Sequence, residues 1–461
     1  MKGPGEILLV ACYELGHQPL AVAWPAAFLE RAGFAPAVLD VAIEPFDAER
    51  VRRARLVAIS VPMHTALRLG AGVGQRVRAL NPGAHISFYG LYAHLNAHEL
   101  LDGDADSIIG GEVEAALVAL ARSLETGDRG EIAGVTRRGG RGQPVLARLD
   151  FPVPTRAALP PLGKYAQLER DGRRELAGYV EASRGCRHLC THCPIPPVYG
   201  GRFFAVPRDV VLADVRQLVV SGATHVTFGD PDFLNGPTHA LRVAREVHAE
   251  FPHLTFDFTA KVEHLVRDAE KLAEFAALGC VFIVSAVESL SATVLKHLDK
   301  GHTRADVETV LAATRTAGIA LRPTWVPFTP WTTLSDFREI LAFVESEDLV
   351  DHVDPVQYAI RLLVPPGSLL LGSPAMRPHL GELVPGGFYY RWTHPDPRVD
   401  ALCERINRLV TEDAERGVDA AITFARITEA ADDAAGVPAR AVSAPGVDRR
   451  RPPRLTEPWF C

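Results

Sequence analysis

The stretch at residues 184–199 limits what this chain can be more than any other, reading Arg-Gly-Cys-Arg-His-Leu-Cys-Thr-His-Cys-Pro-Ile-Pro-Pro-Val-Tyr. Cys186, Cys190 and Cys193 stand in Cys-x3-Cys-x2-Cys spacing, and no other cysteine lies within eighty residues. Three thiolates on one short loop are natural ligands of an iron–sulfur cluster. A four-iron cluster held by three ligands keeps one iron open, and an open iron can take a substrate. A structural disulfide fits poorly: there are seven cysteines in 461 residues and no signal-peptide pattern, so reduced thiols are expected. Zinc is the rival, because Cys3His closes a tetrahedral site and His188 and His192 lie inside the loop. Zinc modules, however, usually bring two ligand pairs on separate knuckles, and no second pair follows. The two histidines therefore read as spacers.

This spacing, directly after the β-type run at 178–183, resembles the signature of the radical S-adenosylmethionine (SAM) superfamily. The resemblance implies a [4Fe-4S] cluster on Cys186, Cys190 and Cys193, with SAM bound at the spare iron through its amino and carboxylate groups. It also implies a partial parallel β/α barrel, a one-electron reductant such as ferredoxin or flavodoxin, and a small-molecule or peptide substrate.

The rest of the chain agrees with an α/β protein of more than one domain. Short apolar runs at 6–12, 37–41, 56–61, 85–90 and 107–109 alternate with helical spacing, for example at 20–32 and 112–124. This is the pattern of an open parallel sheet covered on both faces, a Rossmann-like (flavodoxin-like) unit over residues 1–125. In layout, and in the turn Gly110-Gly111-Glu112, it resembles the cobalamin-binding domain that precedes many radical SAM domains. The family's Asp-x-His-x-x-Gly is absent, and Tyr13-Glu14-Leu15-Gly16-His17-Gln18-Pro19 stands in its place. His17 is either a displaced cobalt ligand or a polar surface residue. Cobalamin without histidine ligation, or a domain that only docks substrate, are the other readings.

Residues 126–162 turn rich in Gly, Arg and Pro and read as a surface linker. From 163 to 375, strand-like runs at 179–183, 225–229, 255–259, 282–287, 320–326 and 356–363 alternate with helical segments. Six such units match the partial (β/α)6 barrel that the resemblance implies. Residues 376–433 read as a helical extension, and 434–461 as a flexible tail ending in Trp459-Phe460-Cys461.

Candidate site residues follow from the strand ends, where barrel chemistry gathers. Gly229, Asp230 and Asp232 occupy the turn that in radical SAM enzymes often meets the amino group of SAM. Glu288 closes the fourth strand and points toward the barrel mouth. Lys261, Glu263 and Arg322 are weaker candidates. Arg361 interrupts an apolar run and needs an anionic partner: substrate, SAM carboxylate or a structural carboxylate. The Trp325–Trp331 segment reads as core or pocket wall, and Cys403 as a small buried hydrophobe. The ending resembles radical SAM proteins whose tails finish in Cys-Cys or Cys-selenocysteine before Ala-Glu-Pro. That implies a catalytic role for Cys461 and a chain that stops at a recoded codon. A related branch transfers the 3-amino-3-carboxypropyl group of SAM.

Net charge is −7 with scattered basic residues, so no nucleic-acid surface is expected. No apolar run reaches the ~20 residues of a membrane span. A cytosolic, reducing compartment is expected, in keeping with an oxygen-sensitive cluster.

Overall fold

The computed structural model describes residues 1–128, 130–140, 142–440 and 451–457. The first sheet contains β1 (Ile7–Ala11), β2 (Ala37–Asp40), β3 (Leu56–Ser60), β4 (His85–Tyr89), β5 (Ser107–Ile109) and β6 (Val135–Arg137). Its order is β2-β1-β3-β4-β5-β6. The first five strands are parallel, and β6 is antiparallel to β5. Strand order reverses at β1 and β3, the crevice where such sheets bind ligands. Alternation along β1 explains the two cores: Ile7, Leu9 and Ala11 face one, Leu8 and Val10 the other.

The second unit opens with the antiparallel pair β7 (Gln167–Arg170) and β8 (Arg173–Val180). A small ladder of β9 (Ser183–Gly185) and β10 (Phe203–Ala205) brackets the cysteine loop. β11 (His225–Phe228), β12 (Thr255–Thr259), β13 (Cys280–Glu288) and β14 (Ala320–Trp325) then run parallel to β8. A hairpin of β15 (Leu380–Val384) and β16 (Tyr389–Trp392), the helices Pro397–Glu415 and Ala420–Ala435, and finally β17 (Arg454–Leu455) follow. The curled sheet has the order β14-β13-β12-β11-β8-β7-β17. One apolar core runs from Trp24 in the first unit through Val180 and Phe228 to Phe424 in the last helix, so the two units share their interior.

Three sequence expectations change. The sixth barrel strand expected at 356–363 is a 3-10 turn, Pro355–Ala359, followed by a single parallel bridge between Phe328 and Arg361. The Gln357 side chain accepts the Trp325 N–H at 3.1 Å, where a ladder would have run. The linker is not loose: β6 extends the first sheet, Phe151 is buried against Trp24, and Arg156 is a buried peg. Arg156 donates to both carboxylate oxygens of Asp214, at 2.6 and 2.7 Å, and to Gln18 Oε1 at 2.7 Å. Finally, the tail expected to be flexible docks over residues 451–457, where β17 pairs antiparallel with the edge strand β7.

Candidate cluster and cofactor site

The cysteine loop leaves the carboxyl end of the curled sheet through Gly185. This glycine has φ +75, and a Cβ here would sit 2.4 Å from Arg202 O and 2.7 Å from the Tyr199 ring, so only glycine fits. The loop is held from both sides. Asn235, after β11, accepts the Arg187 N–H at 3.2 Å and faces Cys186 Sγ at 3.8 Å. Thr191 donates its N–H to Leu298 O and its hydroxyl to His297 O, after β13.

All three loop thiols are free. Burial pushes Cys193 up to about 12 and raises Cys186, and in both cases neighbouring loop thiols add to the rise. A metal held by these thiols would have to displace those protons. Zinc holds sulfur at about 2.3 Å, which keeps the sulfurs on one ion close together. Among the described residues, the group compact enough for a single ion is His188, Asp232 and His264, not the three thiols. The three-cysteine donor set on one loop fits a cluster of several metal atoms.

The His188–Asp232–His264 group is held together by close polar contacts. Lys261 Nζ donates to His188 Nδ1 at 3.1 Å and His188 Nε2 lies 3.0 Å from His264 Nε2; His264 Nδ1 lies 2.8 Å from Asp232 Oδ2 without a hydrogen bond between them. Burial, with Lys261 and His264, pushes His188 down to about 4, so it is neutral. A lysine ammonium at this distance repels a cation. The two loop histidines are therefore more than spacers.

His192 belongs to a second contact. Its Nε2 lies 3.3 Å from Glu288 Oε1, and Lys300 Nζ lies 3.2 Å from the same oxygen. Burial pushes the Glu288 carboxyl up, but Lys300 and His192 overcome it and hold it at about 2. Glu288 has φ +64, and the ladder with β14 shifts register between Ala286 and Glu288. The irregularity turns its carboxylate from the sheet toward the loop.

Asp230 accepts the Ala182 N–H at 2.9 Å and a hydrogen bond from Ser183 Oγ, tying the β11 turn to the root of the loop. Burial pushes it up to about 7. Asp232 caps the next turn through Leu234 N at 2.9 Å. Gly229, Asp230, Asp232 and Glu288 thus surround the loop. Arg361 does not join them: it pairs with Asp400 at 2.7 Å, donates to Trp392 O and lies over the Trp392 ring, which makes it a structural peg on the far helix. Trp325 is core, and Trp331 packs on His297. Cys403 is buried, and Cys461 lies outside the described residues.

Sequence reasoning missed Arg184, two positions before Cys186. It bridges the units, with Nη1 2.6 Å from Glu114 and 3.2 Å from Glu112, and Nε 3.0 Å from Glu181. Asn235 and Lys300 were missed too; both sit in turns that carry no periodic signal. His17, read as a surface or ligand histidine, is buried and stacked on Tyr179 at 4.4 Å. The cavity between the carboxyl edge of the first sheet and the cysteine loop is about 160 Å³ and is lined by Tyr89, Glu114, Arg184 and Tyr199. A corrinoid is far larger, so holding one here requires the Arg184 bridge to open.

Residues 180–344 match the radical SAM superfamily model. The ribosomal protein uS12 methylthiotransferase RimO of Geotalea uraniireducens is 26% identical over 183 residues, 36% of this chain and 39% of that protein. The anaerobic magnesium-protoporphyrin IX monomethyl ester cyclase of Synechocystis is 22% identical, covering 60% of this chain and 55% of that one. The chain therefore spans only part of the length of the curated relatives it matches. Two solved folds are similar. One is the cobalamin-dependent SAM radical enzyme OxsB, with aqua-cobalamin and SAM bound (TM-score 0.70, 14% identity, 88% of this chain and 67% of that one). The other is the methyltransferase TsrM of Kitasatospora setae, with cobalamin and a [4Fe-4S] cluster (TM-score 0.61, 18% identity, 76% and 71%). Among the described residues no helix is long and apolar enough to cross a membrane.

Proposed function

We propose that this chain, whose residues 180–344 are a radical SAM domain, is an enzyme that reductively cleaves SAM to start radical chemistry on a substrate held at the barrel. The observation that carries the reading is the trio Cys186, Cys190 and Cys193 on a loop fixed by Asn235 on one side and residues 297–298 on the other. A [4Fe-4S] cluster on these thiolates supplies, when bound, the electron that breaks a carbon–sulfur bond of SAM.

The protein's own residues set geometry and charge. Asn235 and Thr191 hold the loop backbone from two sides. The Gly229–Asp232 turn offers its backbone to the amino group of SAM, and Asp230 fixes that turn to Ala182 and Ser183. Glu288, kept ionised by Lys300, presents a carboxylate to the positive sulfonium compound across His192.

A cobalamin-dependent methyltransferase is the second reading, because the solved neighbours OxsB and TsrM hold cobalamin. The Arg184 bridge and the missing Asp-x-His-x-x-Gly weigh against it. An absorbance spectrum of protein purified with cobalamin available decides between the two readings. The main test is anaerobic reconstitution with SAM and dithionite, followed by identification of the product. 5′-Deoxyadenosine is expected; methylthioadenosine would redirect the reading to aminocarboxypropyl transfer.

A further inference from the structure

The curled sheet does not close on itself: β14 ends one edge and β7 the other. The segment 451–457 lies along that seam. Leu455 pairs with Leu168 in β7 and packs with Leu168, Phe282 and Val284. Thr456 exchanges hydrogen bonds with Gln167, N–H to carbonyl at 2.8 Å and hydroxyl from N–H at 3.0 Å. Arg454 bridges the two edges. It pairs with Glu169 of β7 at 2.8 Å and reaches Asp354 at 3.7 Å, and Asp354 takes Arg322 of β14 at 2.9 Å. Beyond it, Glu457 accepts the Tyr13 hydroxyl at 2.6 Å, from the loop after β1.

Behind this strap lies a cavity of about 300 Å³. It begins at the Gly229-Asp230-Pro231 turn, where SAM is expected, and runs down the inside of the sheet past Asp257, Phe282 and Arg322 to Leu455. His17 and Leu15 of the first unit cover its side. We propose that residues Arg454–Glu457 are the last wall of the substrate chamber, and that this wall restricts the enzyme to a small molecule. The inference rests on the radical SAM reading for the identity of the chamber, but the closure is a property of the fold.

The ligand class follows from the lining. A folded protein or an extended peptide needs an open groove, and a strand laid across the seam removes it. The walls combine apolar surface (Phe228, Phe282, Val284, Leu455) with charged groups on Asp257 and Arg322, which suits a compact organic molecule carrying both an apolar body and a polar group.

The test uses the full chain in three forms: parent, Arg454→Glu and Leu455→Trp. Arg454→Glu places like charges against Glu169 and Asp354 and should release the strap. Hydrogen exchange at Gln167 and Thr456 is then expected to speed up at least tenfold, and 1-anilinonaphthalene-8-sulfonate to bind at least tenfold more tightly than to the parent. Leu455→Trp keeps the backbone pairing and fills the chamber, so exchange should match the parent and the dye should stay out. Fast exchange at Thr456 in the parent, or dye binding to the parent as tight as to Arg454→Glu, overturns the proposal and favours an open groove for a peptide. Both readouts work without catalysis. A protein that lacks the cluster but keeps its protection defeats the radical SAM reading alone; one with a cluster and an unprotected strap defeats the closure alone.

Discussion

His188 and His264 meet through their Nε2 atoms at 3.0 Å, so a residue between two of the loop cysteines is wired to a helix after the third barrel strand. Lys261 donates to His188 at one end, and the Asp232 carboxylate lies 2.8 Å from His264 Nδ1 at the other. The cysteine loop is thereby fixed by a buried polar chain as well as by its backbone, and such chains cost stability when one member is lost.

Replacing Asp232 by Asn removes the carboxylate that orients His264. We expect cluster retention to fall: iron per chain after dilution into anaerobic buffer should drop at least threefold relative to the parent. Thermal unfolding of the apoprotein should fall by about 1–3 kcal/mol, the cost of an unsatisfied buried group. Unchanged iron retention would mean that the loop needs no support from this side.

Two buried acids make opposite contributions to pH dependence. Glu288 is held at about 2, below its usual 4.5, so it stabilises the fold above pH 4.5 and loses that contribution as pH falls toward 2. The difference is about 3 kcal/mol by linkage. Asp230 is raised from 3.8 to about 7, so its contribution is present below pH 4 and is lost as pH rises through 7, about 4 kcal/mol on the same scale. Denaturant melts of the apoprotein should show Glu288→Gln fully destabilised at pH 7, with roughly half of that loss remaining at pH 3 and little below pH 2. Asp230→Asn should gain on the parent between pH 5 and pH 8.

Among the described residues, Arg184 is the cation paired with Glu112, Glu114 and Glu181 between the two units. Arg184→Leu leaves these carboxylates without their cation, although Glu112 keeps the Tyr199 hydroxyl, a loss of about 3–5 kcal/mol for a buried pair broken on one side. The combined change with Glu112→Gln and Glu114→Gln should recover part of that loss in a thermal melt. No recovery would place the damage in packing and not in charge.

Arg361→Ala tests whether this arginine serves the fold alone. Its ion pair with Asp400 is about one-third exposed, so the expected loss is about 1 kcal/mol or less. SAM cleavage should stay within twofold of the parent; a large drop in cleavage with normal stability would return Arg361 to the site.

Much of this was legible in the sequence because it was written in period and spacing. The five parallel strands of the first sheet and those of the curled sheet are apolar runs of the right length, and the cysteine loop is a local signal. What was not legible depends on pairs far apart in the chain. Arg184 with Glu112 and Glu114, Lys300 with Glu288, and Arg156 with Asp214 are single charges whose meaning comes only from the fold. Arg361 was left open for the same reason: an arginine in an apolar run shows that a partner exists but not which one, and in the fold that partner is Asp400. The docked tail escaped because two residues of pairing cannot be told from coil by composition, while the free edge of β7 that receives them is a tertiary fact.

The most direct test of the whole account is electron paramagnetic resonance of the anaerobically reconstituted, dithionite-reduced protein with and without SAM. The account predicts the signal of a reduced [4Fe-4S] cluster that changes on adding SAM and is absent from the triple variant Cys186→Ala, Cys190→Ala, Cys193→Ala. A protein that holds zinc in place of iron and sulfide, or a cluster signal indifferent to SAM, would contradict it.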